Sequence, residues 1–203
     1  MTPISVLLAD DQTMFRTAVR RLLEWEGDIR VAAEVAEGDQ ILPVALRVRP
    51  SVAIIDIEMP GLDGLTAAAQ LHQQLPECRI LMSTTFGRPG FLERALSNGA
   101  TGFVLKDASV DVLAAAVRRC ATGARVIDPG LAAQAHRLGP SPLTSGERQV
   151  LAAVGTGASI REIARELHLS EGTVRNRISS AIDKTAARNR IDAIRIASEN
   201  GWL

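Results

Sequence analysis

Apolar and polar positions along the first two thirds of this chain alternate between short, wholly apolar runs and longer amphipathic stretches. Ile4 to Ala9 and Val52 to Ile55 are β-rich apolar runs of the kind covered on both faces of a parallel sheet. Between them, Phe15 to Gly27 is a helical pattern closed by a glycine, Arg30 to Val35 is a third apolar run, and Asp39 to Arg49 is a further helical stretch. The rhythm continues with a helix over Gly64 to Leu75, a strand over Ile80 to Ser83 and a helix around Gly90 to Asn98. A strand over Gly102 to Leu105 and a helix over Ser109 to Thr122 complete it. Strands alternating with helices of this length predict a doubly wound α/β domain.

Five such units suit the flavodoxin-like strand order 2-1-3-4-5, in which the first and third strands are neighbours at the topological switch point. Two apolar runs end abruptly in acid, in VLLADD and in VAIIDIEMPG, so Asp10, Asp11 and Asp56 are expected to converge at one rim of the sheet. Crowded carboxylates resist ionising together, so such a cluster usually holds a cation. Mg²⁺ fits best, since it prefers oxygen ligands and often bridges carboxylates to a phosphoryl group. Thr84 after the fourth strand and Lys106 after the fifth add a hydroxyl and an ammonium to the same rim. Together the five side chains make a phosphoryl site. A carboxylate nucleophile forms an acyl phosphate, Mg²⁺ and Lys106 offset the charge on its oxygens, and Thr84 hydrogen-bonds one of them. Singly, each residue has a plainer reading: a turn or cap for the aspartate pair and the threonine, solvated surface for the lysine.

The last third changes pattern. Thr144 with Glu147, and Ser159 with Glu162, form two capping boxes that open apolar-periodic segments. A third helix begins at Ser170 and runs from Glu171 to Lys184 after the short turn His168-Leu169. At about 100° per residue, Val174, Ile178, Ala181 and Ile182 form one apolar stripe, with Asn176, Ser179, Ser180 and Asp183 opposite. Arg175 and Arg177 flank the two sides. A helix anchored by one edge, with a small hydrogen-bonding face outward, suits entry into a DNA major groove. Thr173, Arg177 and Lys184 fall along one flank where phosphates would run. A small helical bundle for protein contact is the plainer reading of the same pattern.

Composition adds two domains and a compartment. At 203 residues the chain is long for one small α/β domain and suits a second module of about 60 residues. Glycine and proline cluster between Gly123 and Pro142, a connector of limited order in which Leu131 to Ala135 can form a short helix. The expected division is residues 1–124, a linker over 125–142, and 143–203. Net charge is zero, but the last segment is modestly basic, with 9 basic against 7 acidic residues. Cys78 and Cys120 lack metal-ligand spacing, which fits a reduced, cytoplasmic interior. No charged leader precedes the first strand, and no apolar run approaches the roughly 18 to 20 residues that cross a bilayer.

The strings ADD, DIEMPGLDG, STTF and GFVLKD resemble the receiver domain of bacterial two-component response regulators over about residues 1 to 125. That resemblance implies that Asp56 is the phosphoacceptor and that Asp10 and Asp11, with the backbone carbonyl of Glu58, bind Mg²⁺ beside it. It makes Thr84 the switch hydroxyl, Lys106 the phosphate-contacting amine and Phe103 the switch aromatic, although a core aromatic would occupy the same place. The family's frequent Lys-Pro is Lys106-Asp107 here. LTSGERQVL, GASIREIARELHLSEGTVRNRI and ARNRIDAIRIASENGWL resemble the LuxR/NarL/FixJ type of helix-turn-helix output domain over residues 143 to 203. By that resemblance Arg175, Asn176 and Ser179 read bases, Ser170 opens the DNA-contacting helix, and a last helix from Asn189 to Asn200 dimerises through Ile191 and Ile194. Two positions depart from the family pattern: Arg177 stands for a frequent histidine, and Thr185 for a leucine whose loss would loosen the helix end. TTFGRPGFLERA, GTVRN and NGWL are similar to a narrower, DesR-like subgroup.

The implied protein is no enzyme beyond the receiver's own phosphotransfer and autodephosphorylation. A sensor histidine kinase would phosphorylate Asp56, and the modified protein would dimerise on double-stranded DNA, with RNA polymerase as a further partner. Val110, Leu113 and Val117, with Ala18, Val19, Leu22 and Leu23, are candidate receiver contacts, most of which would equally serve as core. Two rivals stay open at this point. One is a Mg²⁺-dependent aspartyl phosphohydrolase of the haloacid dehalogenase type, whose D-x-D nucleophile ends the first strand, where this chain has Asp10-Asp11-Gln12. The other is a DNA-binding regulator with a purely structural receiver, independent of phosphorylation.

Overall fold

The computed structural model describes residues 2–85 and 87–203, without the side chains of residues 89, 134 and 138. Phe86, in the STTF string, lies outside them. The chain forms two compact units, one of Met1–Gly87 with Leu92–Ala133, the other of Gln134–Leu203 with Arg88–Phe91.

The first unit is a parallel sheet. Its strands are β1 (Ile4–Ala9), β2 (Ile29–Val35), β3 (Val52–Asp56), β4 (Arg79–Thr84), β5 (Gly102–Leu105) and β6 (Val126–Ile127). They pair in the order 2-1-3-4-5-6. The crossovers are α1 (Thr13–Trp25), α2 (Ile41–Val48), α3 (Gly64–Gln74), α4 (Pro89–Ser97) and α5 (Val110–Ala121). The doubly wound expectation and its order hold, with one strand more than expected.

Side chains alternate across each strand, which divides the interior into two layers. Val6, Leu8, Val52, Ile54, Leu81 and Val104 face one way and pack with Val19 and Leu23 of α1 and Ala114, Val117 and Cys120 of α5. Leu7, Ala53, Ile55, Ile80 and Met82, on the alternate positions, are equally buried. Every residue of β3 is buried. That is why this strand reads as one apolar run, and why the charge at its end stands out.

Two stretches differ from the sequence expectation. Residues 39–49 are not one helix: a 3₁₀ turn over Gly38–Gln40 precedes α2, which ends at Arg49 in the left-handed region at φ 46°. The supposed connector of limited order holds β6, in register with Gly102 and Phe103 of β5, and then helix α6 (Pro129–Leu138). Its β-branched Val126-Ile127 pair fits an edge strand. The Asp128 carboxylate caps the helix by accepting from the Leu131 N–H at 2.9 Å, and proline suits the first helical position.

The second unit carries α7 (Ser145–Gly155), α8 (Ile160–Glu166), α9 (Glu171–Lys184) and α10 (Arg190–Glu199). Both capping boxes form as read, from Thr144 to Glu147 and from Ser159 to Glu162. Ser170 accepts the Thr173 N–H at 3.0 Å to open α9. Val150, Ile163, Ala164, Val174 and Ile178 make one apolar cluster, and Leu143, Leu151, Ala181, Ala193, Ala197 and Trp202 a second. α9 contributes to both, so its orientation is set by three neighbouring helices. Thr185 is buried, yet its hydroxyl donates to the Ala181 carbonyl at 2.7 Å, so the polar atom in place of leucine is satisfied.

Candidate phosphoryl site and nucleic-acid interface

The rim of the receiver sheet is assembled by strand ends. β1 pairs with β3 up to Ala9 and Ile55, which sets Asp10 next to Asp56. Oxygen atoms of Asp10, Asp11 and Asp56 lie within 4.8 Å of one another. Asp10 and Asp56 are buried, while Asp11 is exposed. All the donors are hard carboxylate oxygens, a set that fits a small divalent cation.

Lys106 follows β5 and is placed by its backbone N–H, which donates to the Thr84 carbonyl at 2.8 Å. Its ammonium lies 2.7 Å from Asp10 Oδ2 and 2.8 Å from Asp56 Oδ2. Burial opposes its charge, but the two carboxylates outweigh that and raise its pKa. Asp56 shifts upward as well: burial is the main cause, Lys106 works against it and Asp10 adds to it. The protein alone thus holds Asp56 in a site that penalises its charge, and a cation would relieve that penalty.

Thr84, at the end of β4, is buried beside this rim, and Phe103 is buried in β5. The core reading of Phe103 therefore describes where the ring sits. Glu58, two residues beyond Asp56, is exposed in a bend between buried Ile57 and Met59.

Three contributors to the rim were not singled out from sequence. Arg16 donates to the backbone carbonyl of Asp10 and pairs with Glu34 at 3.5 Å, tying the end of β1 to β2. Phe15 places its ring under the Lys106 ammonium, 4.8 Å from Nζ to the centroid. Gly64 approaches so closely that a Cβ there would lie 1.8 Å from the Asp56 carbonyl oxygen. For Phe15 and Arg16 the available signal was their place in the first turn of the helix that follows Asp10-Asp11.

In the second unit, Val174, Ile178 and Ala181 are buried along α9 as expected, while Arg175, Asn176, Ser179 and Asp183 are exposed. Arg175 pairs with Glu171 at 3.2 Å one turn earlier. Thr173 is half-buried, its hydroxyl 2.9 Å from that of Ser170.

Four of the side chains expected to face a partner have neighbours within the unit. Ser180 does not face outward: its hydroxyl donates to Glu147 Oε1 on α7 at 2.6 Å. The Lys184 ammonium, expected beside phosphates, contacts both oxygens of Glu147, each at 2.8 Å. Arg177 is half-buried and lies across α7, where a Cβ at Gly146 would come within 2.7 Å of its Cζ. Ile194 packs against the cluster around Trp202, leaving Ile191 as the exposed apolar residue of α10. In each case α7 or the helix's own core supplies a partner that spacing along one helix does not reveal.

Glu147 is thus the centre of the α7–α9 contact. Burial works against its charge, but Lys184, Ser180 and the Thr144 N–H together bring its pKa down to about 2.

Comparison with known proteins agrees with both units. The response regulator receiver domain matches residues 6–118, and the luxR family of bacterial regulatory proteins matches residues 141–197. The transcriptional regulatory protein YvfU of Bacillus subtilis is 41% identical over 98% of this chain and 100% of its own length. DesR of the same organism is 40% identical over 98% of this chain and 99% of its own. The near-equal identities place the resemblance with a group rather than with DesR alone. The crystal structure of the response regulator ChrA, from a heme-sensing two-component system, covers 100% of both chains at 30% identity, with a TM-score of 0.59. No helix among the described residues is long and apolar enough to cross a membrane. An acidic rim closed by a lysine, a helix-turn-helix unit and these matches lead to one conclusion: the chain belongs to the two-component response regulators with a receiver and a LuxR-type DNA-binding domain, and it regulates transcription.

Proposed function

We propose that a sensor histidine kinase phosphorylates Asp56, and that this modification promotes dimerisation and sequence-specific binding to double-stranded DNA. The observation that carries the reading is the ammonium of Lys106 held between Asp10 and Asp56 at the sheet rim. A carboxylate oxygen of Asp56 attacks phosphorus, the bond from phosphorus to the donor breaks, and the donor leaves with the electron pair. Lys106 then neutralises phosphoryl oxygens as it neutralises the carboxylates in the free protein, and Thr84 donates its hydroxyl to one of them. Mg²⁺, held by Asp10, Asp11, Asp56 and the Glu58 carbonyl, would supply further charge neutralisation. Phe103 is the switch aromatic of this reading.

The division into a receiver over residues 1–124, a connecting segment over 125–142 and a DNA-binding domain over 143–203 carries over, with β6 of the connecting segment completing the receiver sheet. Asn176 and Ser179, exposed on α9 without competing partners on α7, are the base-reading positions this structure best supports, with Arg175 alongside. Ser170 and Thr173 would present the N-terminal end of α9 to a phosphate. Arg177 and Lys184 reach phosphates only by leaving Gly146 and Glu147. Ile191 offers an exposed apolar contact for the dimer, and Ile194, packed on the cluster around Trp202, is the second position of this reading. Two half-sites about one helical turn apart, or a multiple, would suit such a dimer. In this reading the receiver catalyses only its own phosphotransfer from the donor and its autodephosphorylation, and the protein acts in the cytoplasm, with RNA polymerase as a further partner.

The test is intact mass after incubation with Mg²⁺ and acetyl phosphate, comparing the wild type with Asp56→Asn. One phosphoryl group on the wild type alone is expected. No adduct on a protein shown to bind Mg²⁺, with rapid turnover excluded, would leave a DNA-binding regulator independent of phosphorylation.

A further inference from the structure

Phe15 stands in the first turn of α1, four residues beyond Asp11, and the Lys106 ammonium lies over its ring, 4.8 Å from the centroid. The Lys106 side chain is only 6% exposed, and the same nitrogen is 2.7 Å from Asp10 and 2.8 Å from Asp56. One buried cation therefore has three partners, from the ends of β1 and β3 and from α1, and only two of them are anions. The ring is itself anchored, half-buried against the apolar cluster that the sheet forms with α1 and α5.

The aromatic partner differs from the carboxylates in one respect. Its attraction for an ammonium comes from the ring quadrupole, so it does not change when Asp56 reacts, and it strengthens where water is excluded. On phosphorylation the negative charge at Asp56 moves from its carboxylate to the phosphoryl oxygens, so the ammonium must follow it outward from the Asp56 Oδ2 that it contacts in the free protein. Of the three partners, the ring is one whose attraction is the same before and after that movement of charge.

We propose that Phe15 is a positioning residue for phosphoryl transfer: its ring holds the Lys106 ammonium at the rim, independently of the charge on Asp56, so that the cation stays beside the phosphoryl group. This rests on the reading of Asp56 as phosphoacceptor. In the transfer, an Asp56 oxygen forms the new bond to phosphorus, while the bond to the donor's acetate breaks and acetate leaves with the pair. Phe15 forms and breaks no bond and acts only through Lys106.

The test replaces Phe15 in the full chain with mono-, di- and penta-fluorinated phenylalanine, and separately with leucine. Fluorine drains the negative face of the ring while nearly keeping its volume, so mere packing would leave the series flat. The initial rate of adduct formation with Mg²⁺ and acetyl phosphate is read by intact mass. A graded fall with fluorination is expected, reaching about three- to tenfold for the pentafluorinated ring and Phe15→Leu. The Lys106 Cε resonance should also lose its ring-current displacement in Phe15→Leu. Should the leucine variant fail to fold, the fluorinated series decides. A reacting wild type with equal rates across that series would overturn the role of Phe15 alone. A wild type that takes no phosphoryl group would overturn the Asp56 reading and this one with it.

Discussion

Replacing Glu147 with glutamine should loosen α9 from α7, and its cost can be worked from the contacts. The carboxylate accepts from the Thr144 N–H at 2.7 Å, from the Ser180 hydroxyl at 2.6 Å and from Lys184 at 2.8 Å on each oxygen. A glutamine keeps one oxygen, enough for Thr144, and its amide can donate to a Ser180 hydroxyl turned to accept. Towards Lys184 it keeps at most one neutral acceptor, the oxygen that also serves Thr144, loses the charge, and turns its amide donors where the second carboxylate oxygen was. Lys184 is about a third exposed. The lost ion pair is thus worth the partly screened figure of about 1 kcal/mol rather than that of a fully buried pair. Weaker capping of the Thr144 N–H by a neutral acceptor adds about 0.5 kcal/mol. A loss of about 1.5 kcal/mol in so small a domain should lower its Tm by about 6 to 12 °C. Fluorescence can follow that unit within the intact chain, since Trp202 is 8% exposed while Trp25, in the receiver, is 90% exposed and changes little on unfolding. A double-mutant cycle with Lys184→Met should return a coupling of about 1 kcal/mol. The pH dependence has a definite sign. Glu147 titrates at about 2 in the folded protein against an ordinary 4.5. Its stabilisation is therefore complete above about pH 4.5 and lost as pH falls towards 2, a loss the glutamine variant should not show. A Trp202 transition that moves by less than about 2 °C in the variant, or a cycle with no coupling, would refute the account.

Two further outcomes concern the receiver. Asp56→Asn should raise its thermal midpoint at pH 7, because burial raises the Asp56 pKa and removing the charge relieves that penalty. Thermal unfolding followed by circular dichroism checks this, and wild-type stability should rise as pH drops through the Asp56 titration. Gly64→Ala should cost about 3 kcal/mol or more in urea unfolding, since its Cβ would sit 1.8 Å from the Asp56 carbonyl oxygen and the backbone on one side must move. Adduct formation should fall with it, as the Asp56 end of β3 is what moves.

The amino-acid sequence by itself determined the strand and helix order of the receiver, because strands covered on both faces leave uninterrupted apolar runs and β3 is buried at every residue. It determined the acidic rim for the same reason, since a carboxylate closing such a run can only lie at the strand's end. The capping boxes of α7 and α8 were legible because each is complete within four residues. Tertiary structure alone decided what a side chain meets on another element. Lys184, Ser180 and Arg177 read as groove-side residues along one helix, yet α7 brings Glu147 and Gly146 against them. Phe15 read as the apolar start of a helix and not as the neighbour of a lysine some ninety residues on. Strand β6 was hidden in a glycine-rich stretch, because two residues carry no periodicity and only the waiting edge of β5 makes them a strand. Local pattern records which face of an element is buried; which polar group is buried with it depends on the partner that folding brings to that face.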